Sequence, residues 1–406
     1  MSTAVLTKVE TGRWELSSAA DIAMKISERF WFGVTLLGQL IFGIAVASFY
    51  GLTALRGDYH AWNFTHGYIP GVTKGNFAVA THVFTAPILM LGGTVQLIPQ
   101  MRNRFPAFHR WNGRIYMLSA GALSLAGLYM HWIRGSVGDL PQHIGSSLNA
   151  VLIWVCGAMA LRYAMARDFK THRRWALRFF LVVSASWFIR IMFSLVFMIF
   201  RGPIGLDPTT FTGPLPTTLQ FAQYLIPLAV LEVYFRAKDN PGAKRRMATA
   251  AMLFVLTLAM AAGLFVGTMG FWVPQIRAGF DFRKSIAETL SATINSRGID
   301  SALQQYHQLK AAQDSSYNFN EGQLNALGYR LIRAKKFSEG IRIFQLNIES
   351  FPQSSDAYDS LAEGYLRAGD KARSITNYQK ALQLNPKNLN SKLMLAKLTQ
   401  PQIDGR

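Results

Sequence analysis

The sequence predicts an all-α protein: a polytopic, seven-helix transmembrane bundle followed by a soluble α-helical solenoid of the tetratricopeptide (TPR) kind. Three observations predict it. Apolar tracts of spanning length fill the first two thirds of the chain and are almost absent after residue 285. Lysine and arginine crowd every second connection between those tracts. A 34-residue pattern of apolar, aromatic and proline positions recurs in the last third.

Half of the 406 residues are hydrophobic and only 16% are charged, against roughly a quarter charged in soluble domains. A span needs about 20 mostly apolar residues. Seven tracts qualify, at 31–53, 77–98, 112–132, 146–165, 176–199, 219–235 and 249–273. They define a transmembrane domain at 31–275, preceded by a segment at 1–30 that is expected to be cytoplasmic. The first tract contains "AVAS", which resembles a signal-peptidase site, but its apolar run is long and 30 residues precede it. It is read as an uncleaved span. The sixth tract is the shortest and carries Glu232 near its end.

The charge of +20 raises the question of nucleic acid. The basic residues lie in short connections, where orientation in a bilayer explains them and nucleic acid is not expected. The connection 100–114 holds Arg102, Arg104, Arg110 and Arg114. The connection 162–178 holds Arg162, Arg167, Lys170, Arg173, Arg174 and Arg178, and 236–246 holds Arg236, Lys238, Lys244, Arg245 and Arg246. These 15 residues oppose four on the other side, Arg56, Lys74, Arg134 and Arg201. The positive-inside rule then places the N-terminus in the cytoplasm and, after seven spans, the C-terminus outside. The expected location is the bacterial inner membrane.

Residues 285–398 form the expected extracytoplasmic TPR module. The stretch 355–388, "SDAYDSLAEGYLRAGDKARSITNYQKALQLNPKN", has the pattern of two amphipathic helices closed by proline. Leu327, Phe344 and Pro352 repeat Leu361, Tyr378 and Pro386 at the 34-residue period. A degenerate third unit is expected around Ala302, Leu303, Tyr306 and Leu309, and a capping helix at 389–398. Such modules bind peptides or proteins. The single cysteine, Cys156, lies in an apolar tract and has no partner for a disulfide or a cysteine metal site.

The histidines carry the remaining chemistry. "FHRWNGRIYM" at 108–117 is echoed by "THRRWALRFF" at 171–180, each a His-Arg pair before an apolar run. Snorkelling arginine and interfacial tryptophan explain Arg110, Arg173 and Trp111, and neither explanation requires His109 or His172. His82 is expected a short way inside span two. His131 closes span three and His143 opens span four on the same side. His82 to His143 is 61 residues and His109 to His172 is 63, which suggests a duplicated hairpin. Alternating histidines on four successive helices are the layout of membrane cytochromes of the b type. On that analogy His82 with His143, and His109 with His172, hold haem b, with Arg110, Arg114, Arg173 or Arg178 facing its propionates and Arg174 among the candidate cofactor residues. His131 competes with His143 for the outer role. No metal other than haem iron is expected. Arg190 lies within span five, and a charged residue at that depth is a functional hypothesis by default. Pro87 is expected to kink span two just below His82.

His82 followed by "GGTVQ", then "HRWNGRIY", "HRRWALRFF" and "SASWFIRI", resembles the bacterial membrane family called domain of unknown function 2306, over residues 75–235. The resemblance implies a multispan membrane protein. It places His82, Gln96, His109, Arg110, Gly113, Arg114, His172, Arg174 and Arg190 among the family's recurrent positions, and it implies no activity. Two functions are therefore expected. One is an anchor or sensor whose external TPR tail docks a protein. The alternative is a haem-binding electron-transfer protein.

Overall fold

Helices account for nearly all of the computed structural model. It describes residues 3–399 apart from 58, 60–61, 63–68, 70–71, 202–203, 208–209 and 241, with side chains from Ser18 onward. His60 and His66 lie outside the described residues. The chain divides into two units, Met1–Phe280 and Asp281–Arg406.

In the first unit, span one is the helix Thr3–Val46, prolonged by the π-turn Ala47–Gly51 and the short helix Leu52–Leu55. Span two is Thr73–Gln96, and span three is Pro106–Tyr129 with the π-turn Met130–Arg134. Span four is Leu140–Met165, started by Asp139, whose side chain accepts from the Gln142 amide. Span five is two helices, Phe169–Val183 and Ala185–Phe200, bent by 55°. Asp168 caps its start by accepting from the Thr171 amide. Span six is Pro214–Asp239, and span seven is Ala243–Gly267, followed by the π-turn Thr268–Trp272 and the helix Val273–Gly279.

Among the described residues five helices are long and apolar enough to cross a membrane, or six with the bent pair counted as one span. Pro106–Tyr129 has the length, at 24 residues, but is less apolar because His109, Arg110 and Arg114 occupy its first turns. It is a seventh helix of the bundle rather than a seventh strongly apolar span.

Two edges differ from expectation because charges there are paired. Span one runs as one helix back through residues 3–30, the stretch expected to be a cytoplasmic segment ahead of it. Asp21 binds Arg246, and Glu28 binds Lys238 at 3.2 Å and accepts from Tyr234 at 2.8 Å. Span six continues past Glu232 because Arg178 meets that carboxylate at 2.9 Å and Arg236 at 3.4 Å.

Spans two and three form one tight hairpin, and span four with the first half of span five forms another. Span one lies against spans two and seven, and the second half of span five lies against spans six and seven. The family-like residues of the first hairpin act as a clamp. Asn112 donates to the Gly92 carbonyl at 2.9 Å, and Gln96 donates to the His109 carbonyl at 2.9 Å. A side chain at Gly113 would collide with that Gln96 amide at 2.7 Å. At Gly93 a Cβ would stand 2.8 Å from the Tyr116 ring and 3.1 Å from Phe180.

The second unit stacks helices in pairs, Ile286–Arg297 with Ile299–Ala311, Glu321–Arg333 with Phe337–Ser350, and Ser355–Arg367 with Lys371–Leu384. Leu389–Thr399 packs on the last pair. A helix pair and a single helix thus occupy the stretches where the degenerate unit and the cap were expected. A short parallel bridge, Lys284–Ser285 with Tyr317–Asn318, ties the first pair together. The repeat positions form the cores: Leu327, Phe344 and Tyr378 are fully buried. Gly328 gives Phe344 its place, since a Cβ there would lie 2.4 Å from the ring.

Two outcomes follow from packing. Gly93→Ala forces apart two buried rings and should destabilise the purified protein by about 1–3 kcal/mol, seen as a lowered thermal midpoint. Asn347 is fully buried with both amide atoms unpaired. Asn347→Leu should therefore stabilise the repeat unit by about 1–3 kcal/mol, and an unchanged or lowered unfolding midpoint would contradict this.

Candidate functional site

Span five breaks where no proline or glycine announces it. Ser184 leaves the helical path with ψ near 2°. In hydrocarbon an interrupted backbone persists only where protein satisfies it. Asn149 of span four donates to the Val182 carbonyl at 3.2 Å, and Gln39 of span one donates to the Ser184 hydroxyl at 2.9 Å. Gln39, Ser184 and Trp187 are almost wholly buried. Several polar atoms here stay unpaired: Thr35 Oγ1, Gln39 Oε1, Asn149 Oδ1 and the Trp187 indole nitrogen.

Arg190 follows on the second half of span five. Its guanidinium donates to the Ser186 carbonyl one turn back and lies 5.1 Å over the Phe42 ring. His82 and Tyr50 are within electrostatic reach. Its side chain is exposed, with the guanidinium laid against Phe42. Among the described residues no carboxylate pairs with it.

The π-turns place two members of this region. Ala47–Gly51 carries Tyr50, and Met130–Arg134 carries His131. An inserted residue re-aims side chains, which is why such turns concentrate at functional sites. His131 stacks on His143 with ring centroids 5.0 Å apart, and its Nδ1 meets Ser136 Oγ at 2.5 Å. His82 is within electrostatic reach of His131, and its own Nδ1 is buried and unpaired. The structure thus seats His131 against His143, where the sequence offered His82.

As placed, His131 and His143 do not themselves flank a haem. Such a haem needs ligating nitrogens about 4 Å apart on opposite faces of a macrocycle. Two rings at 5.0 Å with planes 38° apart leave no slot for one. No group of three or more His, Cys, Asp or Glu among the described residues is placed to hold a metal ion.

At the opposite end, His172 shares its Nδ1 with the Ala160 carbonyl at 2.8 Å. His109 is within electrostatic reach of His172 and Arg102. Their arginines serve the membrane edge. Arg110 is exposed, and Arg114 lies 4.8 Å over Trp111. Arg174, a candidate cofactor residue in the sequence, is bound to Asp239 and stacked 4.8 Å over Phe235. Near the break stand His82 and Arg190, singled out in the sequence, and Gln39, Tyr50, Asn149, Ser184 and Trp187, which were not. The only signal for Gln39 and Asn149 was a lone carboxamide inside an apolar tract.

Residues 79–210 match the family model described as Predicted membrane protein (DUF2306). Residues 355–388 match the tetratricopeptide repeat model. No curated protein and no solved structure matches the chain. The DUF2306 segment contains all eight of the histidine and arginine positions singled out from the sequence, with Gln39 and Tyr50 outside it.

The repeat unit has a polar cluster of its own. Tyr329 donates to Glu363 at 3.1 Å and to Ser360 at 3.3 Å. Asp359 accepts from Asn390 at 2.8 Å and from the Ser391 hydroxyl. Burial pushes both the Asp359 and the Glu363 carboxyls above their ordinary range, against hydrogen bonds and, for Glu363, the Arg367 charge, which pull down. The folded state therefore binds protons more tightly at these two sites than the unfolded chain does. Their contribution favours folding less as pH rises from about 4 through the raised values. Asp359→Asn with Glu363→Gln should flatten that part of the stability profile, measured by denaturant unfolding from pH 4 to 8. Equal slopes in both proteins would contradict the burial argument.

Proposed function

We propose that the protein is an inner-membrane anchor or sensor that presents its TPR module outside the cytoplasm to a protein partner. The observation carrying this reading is the repeat at 355–388 on a multispan chain whose basic connections alternate 15 to four. Paired helices with a regular period expose a continuous concave face suited to an extended or helical segment. The basic end of the bundle, with Arg102, Arg110, Arg114 and Arg173 exposed, suits an anionic cytoplasmic leaflet.

Alkaline phosphatase fused to the C-terminus should be active and a fluorescent protein there dark. A photo-crosslinking amino acid on the exposed repeat surface of the full chain should capture one recurrent adduct in living cells. A dark phosphatase with a bright fluorescent fusion would reverse the orientation, and absence of any adduct along the repeat surface would remove the docking role.

A further inference from the structure

The two His-Arg prefaces look alike in the sequence and are used differently in the fold. In the second, at the start of span five, Arg174 and Arg178 turn to acids of span six, Asp239 and Glu232. In the first, at the start of span three, the surrounding chain offers no acid: none occurs between Asp58 and Asp139. Arg110 and Arg114 are both exposed there.

The hairpin clamp fixes which way this helix faces. Asn112 donates to the Gly92 carbonyl, His109 Nδ1 is buried, and Tyr116 is buried against Gly93. His109, Asn112 and Tyr116 therefore mark the inner face, at the spacing of one helix side. Rotated away from it runs a second stripe at the same spacing, Phe108, Trp111, Ile115 and Leu118, and all four side chains are exposed. The stripe rises about 15 Å from end to end. That is half of a hydrocarbon core about 30 Å thick, the depth of one leaflet. Arg110 and Arg114 stand one turn apart along its flank. Arg114 lies 4.8 Å over the Trp111 ring, so a cation–π contact holds its guanidinium at the stripe.

We infer that this flank of span three is a binding site for one anionic phospholipid. Arg110 and Arg114 bind its phosphate, each guanidinium offering a planar donor fork. Its acyl chain lies along Trp111, Ile115 and Leu118. Arg102 and Arg104, exposed at the end of the short helix Pro99–Arg104 that leads into span three, add to the positive potential. Snorkelling alone would serve any phospholipid, whereas clustered arginines favour those of net negative charge. The apolar stripe favours a lipid over a soluble phosphate, which would leave Ile115 and Leu118 unused. The site needs the basic end to lie at a bilayer surface, as proposed above. It needs neither the orientation nor the repeat module, whose fusion and crosslinking tests stand or fall separately.

The test uses the full chain in phosphatidylcholine nanodiscs, with brominated phosphatidylglycerol or brominated phosphatidylcholine mixed in at equal mole fraction. Bromine quenches indole fluorescence on contact. The Trp111 contribution is the difference between each protein and its Trp111→Phe counterpart. Brominated phosphatidylglycerol should quench that contribution at a mole fraction roughly fivefold or more lower than brominated phosphatidylcholine requires. Arg110→Gln with Arg114→Gln should bring the two lipids to parity, with each single variant between. Where the double variant does not insert, the single variants carry the comparison. Lys244→Gln with Arg245→Gln removes the same charge from exposed positions at the start of span seven and should leave the preference unchanged. Free glycerol 3-phosphate at matched ionic strength should not relieve the quenching. Equal quenching by both lipids in the wild type, an equal loss in the span-seven variant, or relief by glycerol 3-phosphate overturns the site.

Discussion

A backbone interrupted inside hydrocarbon must find its hydrogen bonds within the protein, and the membrane unit is organised around meeting that demand at Ser184. Asn149 on span four meets it at the Val182 carbonyl, and Gln39 on span one holds the Ser184 hydroxyl beside it. Neither is conspicuous in the sequence. Each is a carboxamide, able to donate to the broken segment while keeping an oxygen in reserve. Those reserve oxygens are unpaired, so the break is satisfied on the side of span five and left polar on the other.

The bend lets one span face two environments. Its first half packs Phe179 and Phe180 into spaces left by Gly157 and Gly93, where a Cβ would stand 3.1 Å from either ring. Its second half turns toward span seven, where Gly263 approaches the Ile191 backbone and Gly267 approaches Ser194 closely enough to exclude a side chain. Close approach through small residues is the usual means of helix association in lipid, which offers no hydrophobic drive between helices. A straight helix from Phe169 to Phe200 could not follow both glycine-lined surfaces. The break is thus what carries Arg190 to Phe42 and His82.

The multispan helical architecture and the repeats were legible because both depend on patterns that survive in one dimension. Apolar length marks a span, and a 34-residue period marks a TPR. The helix starts Glu321, Ser355 and Leu389 keep that period. Span edges were less legible, since Asp21, Glu28 and Glu232 look like barriers until their partners on other helices are known. The break was illegible for the same reason: Ser184 is an ordinary helix residue unless Gln39 and Asn149 stand beside it. The contact of His131 with His143 was illegible because sequence spacing tracks helix register. It does not register a π-turn, and Met130–Arg134 carries His131 into the place opposite His143.

The acids of the membrane unit show why Arg190 differs from the other arginines. Asp21, Glu28, Glu232 and Asp239 are taken by Arg246, Lys238, Arg178 and Arg174. Asp139 and Asp168 are engaged as helix caps. The four ion pairs all join span one or span five to spans six and seven at the basic end, where water and headgroups make the cost of charge small. Near mid-depth the balance reverses. Arg190 stands apart from these pairs: its guanidinium donates to the Ser186 carbonyl and lies over the Phe42 ring, and among the described residues no acid is paired with it.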